Sequence, residues 1–160
     1  MKQWQLQSTM AADNQHSLTR LIRAIAFGQG QFALILVRCN YLQLRLSMLE
    51  NLRTVTKDIY LREIFLEASI ESLHNKIISD LHLDNPVVAS DKKPDAVMIF
   101  GLESVTLLEE LIVNINQARD IYAANFSFPL VLWLTEEVAA SLSRNAPDFK
   151  SWAATTIKLR

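Results

Sequence analysis

The chain has 160 residues, half of them hydrophobic and 21% charged, a balance that makes one globular domain and excludes intrinsic disorder. With 16 basic and 17 acidic residues the net charge is −1, so no global charge favours a nucleic-acid backbone or an anionic membrane. Cys39 is alone, which excludes an internal disulfide, and no apolar run approaches the roughly 18 residues of a membrane span. Met1 to Met10 lacks the apolar core of a signal peptide, so a cytoplasmic location is the expectation.

Residues 1–12 read as a polar arm in which Trp4 and Leu6 can pack, and 13–160 as a single domain. Leu18, Leu21, Ile22, Ile25 and Ala26 have the spacing of one helix face, which predicts a helix over about 14–27, capped by Asp13 or Asn14 and ended by Gly28 and Gly30. Phe32 to Val37, FALILV, is a short continuous apolar run, the pattern of a strand covered on both faces. A helix over about 42–53 follows, with Leu42, Leu46, Leu49 and Leu52 inward. Ile59 to Leu66 is a second strand, interrupted by Arg62 and Glu63 as an edge strand tolerates. Ile70, Leu73, Ile77, Ile78 and Leu81 mark the next helix, and residues 84–95 a polar, mobile linker.

Ala96 to Phe100 is the most apolar strand and reads as central. A long helix is expected over about 105–124, with Leu108, Leu111, Ile112, Ile115 and Ala118 on one face. Pro129 opens a strand that continues to Leu134, and Thr135 caps a helix whose first turn carries Glu136 and Glu137. That helix ends before Pro147, a turn carries Phe149 and Trp152, and Thr155 to Leu159 makes a fifth strand. Such alternation implies right-handed crossovers and a mainly parallel sheet between helical layers, an α/β fold of three layers, α/β/α.

Open α/β sheets bind ligands at the carboxyl ends of their strands, so the candidate chemistry lies there. After the first strand the chain reads Arg38-Cys39-Asn40-Tyr41-Leu42, with neither the glycines that let a backbone wrap phosphates nor the lysine that neutralises them. Gly28-Gln29-Gly30 precedes the strand, at the wrong end for a ligand. These absences argue against nucleotide hydrolysis, and the chain is read as no enzyme. Glu103, after Gly101, can polarise a water or simply begin the next helix, where the dipole favours a carboxylate. Cys39 lacks a visible base and reads as a partly buried thiol. Histidines 16, 74 and 82 are scattered and read as surface residues; no metal spacing occurs, and no cofactor is expected. Arg38, Asn40, Arg45 and Glu103 are the candidate anion- or ligand-binding set, against the alternative of solvated or paired arginines. Arg119 can pair with Asp148 or Glu103, while Trp133 and Trp152 read as core or, if exposed, as interface anchors.

The second half carries a distinctive order: Gly-Leu-Glu-Ser at 101–104, Asn114-Ile115-Asn116-Gln117-Ala118-Arg119-Asp120, Phe128-Pro129-Leu130-Val131-Leu132-Trp133-Leu134, and Ala146-Pro147-Asp148-Phe149-Lys150-Ser151-Trp152. It resembles the degenerate, inactive NTPase-like domain found near the N-terminus of bacterial tetratricopeptide-repeat proteins, a relative of the STAND signalling ATPases. The resemblance spans about residues 14–159; the motifs at 128–134 and 146–152 are its specific part. It implies a sheet ordered 5-1-4-3-2, like that of P-loop NTPases but without the P-loop. Gly101, Arg119, Trp133, Pro147, Asp148 and Trp152 would be its structural residues. The role it implies is a non-catalytic scaffold or switch in a signalling or defence assembly. Its partners would be proteins, such as helical repeats or a second copy, rather than nucleic acid or membrane. No repeat stands within residues 1–160.

Overall fold

The computed structural model describes residues 3–85 and 93–160, with side chains from residue 11 onward. Its elements are α1 (Gln3–Phe27), β1 (Ala33–Arg38), α2 (Leu42–Val55), β2 (Leu61–Phe65), α3 (Leu73–Asp80) and β3 (Ala96–Phe100). A 3₁₀ turn, Leu102–Ser104, leads to α4 (Leu108–Gln117), α5 (Arg119–Asn125), β4 (Pro129–Leu134), α6 (Glu136–Asn145), α7 (Pro147–Ser151) and β5 (Ala153–Lys158). The five strands form one sheet in the order β2-β3-β4-β1-β5, and every pairing is parallel. Read from the other edge this is 5-1-4-3-2.

Residues of alternating parity face opposite layers, as the pleat requires. Leu34, Leu36, Ile64, Val97, Ile99, Leu130 and Leu132 join Leu73, Ile77, Leu111, Ile115, Val138, Leu142 and Phe149 on one side. Ile35, Val37, Met98, Phe100, Val131, Trp133 and Ile157 join Leu18, Leu21, Ile25, Met48, Leu49 and Leu52 on the other. So α1 and α2 form one helical layer, and α3, α4, α6 and α7 belong to the opposite one. β3 and β4, buried along their whole length, are the centre of the sheet. β2 is an edge, which explains how it carries Arg62 and Glu63; Glu63 is held by Arg53 of α2.

Several elements differ from expectation. The first helix starts at Gln3, so the stretch expected to be an arm is helical from that residue. The packing expected of Trp4 and Leu6 falls outside the described side chains. Asn14 is then no cap: it lies within α1, where its amide donates to the Arg160 carbonyl at 2.5 Å and accepts from the Arg160 N–H at 2.8 Å. In α2, Leu42 and Leu46 are exposed, 63% and 52%, and the inward stripe is Arg45, Met48, Leu49 and Leu52. The helix is rotated because Arg45 turns in to meet a carboxylate. The single helix expected over 105–124 is two, broken at Ala118, whose φ of −98° and ψ of 12° leave the helical basin. The Arg119 guanidinium donates to the Asn116 carbonyl at 2.6 Å, taking up a backbone acceptor at the break. His74 is buried rather than on the surface. It stacks on Phe126, meets the Tyr122 ring edge-on, and one ring nitrogen lies 2.8 Å from the Asn125 amide. The centre of the expected linker, 86–92, lies outside the described residues; at its end Asp95 accepts from the Tyr60 N–H at 2.8 Å.

Candidate functional site

The connection after β1 crosses toward β2 on the α1/α2 side, whereas the connection after β4 passes to β5 on the opposite side. The loops therefore part between β1 and β4, the topological switch point where such folds usually hold ligands. Only Cys39, Asn40 and Tyr41 separate β1 from α2, and Thr135 alone separates β4 from α6. A bridge this short has no slack to encircle a phosphate chain.

The crevice is stitched shut by its own side chains. Asn40 Oδ1 accepts from the Glu136 backbone N–H at 2.7 Å, taking a free donor at the start of α6. The hydroxyl of Thr135 accepts from the Val138 N–H at 3.2 Å and caps the same helix. The Arg38 guanidinium bonds the Glu136 carboxylate, and Lys158 approaches that carboxylate at 3.8 Å. Its hydrogen bond with Arg38 holds the Glu136 carboxyl below the usual carboxylate range. Glu136 is a site residue that the sequence expectation lacks. Its signal was the first-turn position after Thr135, which reads equally well as a dipole effect.

Arg45 is 7% exposed and donates to Glu103 Oε1 at 2.7 Å. This bond ties α2 to the turn after β3. The candidate set thus divides into two closed groups: Arg38 and Asn40 on Glu136, and Arg45 on Glu103. Among the described residues, a cavity of about 390 Å³ is lined by Arg38, Glu136, Ser143 and Lys150, and Arg45 and Glu103 are outside it. The side chains expected to line one site do not share one pocket. Cys39 is buried; its thiol donates to the Tyr41 carbonyl at 3.5 Å, and burial pushes it above its ordinary value, which disfavours the nucleophilic thiolate.

The motif residues have structural positions. Gly101 turns from β3 into the 3₁₀ turn with φ of +93°, where a Cβ would stand 3.3 Å from the Leu66 backbone N and O. Trp133 is buried and stacks on Phe100, ring centres 5.3 Å apart. Pro147 opens α7, whose Phe149 N–H donates to Asn116 Oδ1 at 2.9 Å. Asn116 carries no local mark of a role in the sequence; only the folded chain shows that it fastens α4 to α7. Arg119 stands 4.0 Å from Asp148, and Glu103 is taken by Arg45 instead. Trp152 is exposed rather than in the core, its ring centre 6.2 Å from that of Phe149. Among the described residues, no group of histidine, cysteine and carboxylate side chains could hold a metal ion. Among the described residues, no helix is long and apolar enough to cross a membrane.

The class defined by this geometry is a three-layer α/β domain with a parallel sheet whose switch-point crevice is closed by its own side chains. Comparison with protein-family models, with curated proteins and with solved structures returned no match.

Proposed function

We propose that the chain is a non-catalytic protein-interaction or scaffold domain of a bacterial signalling or defence assembly, built on a degenerate NTPase fold. The observation that carries the reading is the bond from the Glu136 N–H to Asn40 Oδ1, which fills the switch point with the chain's own groups. The engagement of Arg38 by Glu136 and of Arg45 by Glu103 supports it, because both cations are already neutralised. Tyr41, Leu42 and Leu46 add an exposed apolar corner at the start of α2, a feature suited to contact with another protein. The signalling role itself comes from the motif resemblance. Calorimetry with ATP, ADP and GTP in the presence of Mg²⁺, at concentrations that register a Kd of about 100 μM, is expected to show no binding heat.

One observation favours a second reading, a nucleotide- or anion-binding sensor that does not hydrolyse its ligand. Arg38 Nε is buried without a partner, and Arg38 lines the 390 Å³ cavity together with Lys150. Binding heat that disappears in Arg38→Ala would replace the first reading with this one.

A further inference from the structure

Beyond the switch point, the loops after β2 and β3 line a half-open cavity of about 540 Å³, within the size range of ligand sites. Its apolar lining includes Ile70, Leu107 and Leu111, and its charged groups are Glu71 and Glu110, with no cation among the lining residues. Leu107 is 56% exposed, a large apolar side chain left in water at the cavity. Neither carboxylate has an ion-pair partner among the described residues, and Lys76, the nearby cation on α3, is already held by Glu67 and Asp80.

The walls are pre-formed. The Leu66 N–H donates to the Phe100 carbonyl at 2.9 Å, and the Thr106 N–H to the Ala68 carbonyl at 2.9 Å, so the two loops are pinned to each other. Ser72, the residue after Glu71, caps α3 by accepting from the Asn75 N–H at 3.2 Å. Rigid walls reduce the ordering cost of binding.

We infer that this cavity docks a peptide segment of a partner protein carrying an apolar side chain flanked by arginine or lysine. The apolar lining selects the first feature, and the two unpaired carboxylates select the second by charge complementarity. Phosphate-bearing partners are repelled by the same carboxylates. The inference rests on the interaction reading and gives that reading a partner chemistry.

The test is an amide-resolved NMR titration of the ¹⁵N-labelled full chain with a capped hexapeptide of alternating leucine and arginine, against the same peptide with glutamate in place of arginine. The expected result is shifts clustered at residues 68–71 and 106–111 with the arginine peptide only. In the Glu71→Gln/Glu110→Gln double variant the affinity should fall about fivefold, the scale of two exposed charge contacts. Leu107→Ser, at an exposed position, should also weaken binding while the spectrum stays folded. Equal response to both peptides, shifts centred elsewhere, or no shift would overturn the inference. Nucleotide binding in the calorimetry would instead overturn the interaction reading, so the two failures are distinguishable.

Discussion

A guanidinium that is 7% exposed must meet its counter-charge inside the protein, and Arg45 meets Glu103 at 2.7 Å. Removing one partner leaves the other charge uncompensated, whereas replacing the pair by apolar groups removes two desolvation costs. Glu103 is partly solvated, so Glu103→Ala should cost about 1–3 kcal/mol in urea unfolding, less than the roughly 3–5 kcal/mol of a fully buried pair. The double variant Arg45→Met/Glu103→Leu should recover most of that loss; a loss larger than the single variant's would mean that the pair is a net stabiliser. Glu136 gives a pH dependence. Its folded-state value is depressed by Arg38, so its contribution is present above the ordinary glutamate value of about 4.3 and is lost as the pH falls through the lower folded value. Stability measured from neutral pH into that acid window should fall less steeply in Glu136→Gln than in the parent chain.

At the scale of elements, the two helices α4 and α7 are joined through one amide. Asn116 accepts from the Phe149 N–H at 2.9 Å, and its Nδ2 approaches Asp148 Oδ2 at 3.4 Å. A five-residue helix has little stability of its own, so it depends on such ties and on Phe149 in the core. Asn116→Ala should destabilise by about 1–2 kcal/mol, the cost of an orphaned backbone donor, with the earliest loss of amide-exchange protection at 147–151. Asn116→Asp, which keeps the acceptor but sets a carboxylate beside Asp148, should be less destabilising at low pH, where that carboxyl is protonated, than at neutral pH. Strands were legible because FALILV, AVMIF and PLVLWL are continuous apolar runs, a pattern that two-sided burial leaves in a parallel sheet. The inward face of α2 was not, because a periodicity count treats Arg45 as polar and so selects Leu42 and Leu46. The break at Ala118 was equally hidden: alanine is the best helix former, and only the bond from Arg119 to the Asn116 carbonyl marks the interruption.

At the scale of the molecule, one sheet separates two apolar layers, and each central strand feeds both. Val131 faces the α1/α2 layer while Leu130 and Leu132 face the other, so neither layer can loosen without disturbing the same backbone. Urea unfolding followed by tryptophan fluorescence and by far-ultraviolet circular dichroism should therefore give coincident transitions. Trp133→Ala should lower stability by about 3–5 kcal/mol as one cooperative loss, since the ring is buried in the α1/α2 layer and stacked on Phe100. Separated transitions would show that the layers unfold independently.

The sequence by itself determined the fold class, the absence of a phosphate-wrapping loop after β1 and the places of strands and principal turns, because these depend on local periodicity, on glycine and proline, and on residues adjacent in the chain. Only the tertiary structure decided that Asn40 closes on Glu136, that Arg45 is buried on Glu103, that Asn116 fastens α7, and that Glu71 and Glu110 line one cavity. Each of these joins groups far apart in sequence, and a charged or amide side chain carries no local mark of the partner it will find. Burial selects that partner once the sheet order has brought the loops together, since a polar group removed from water must be satisfied by whatever the fold places within reach.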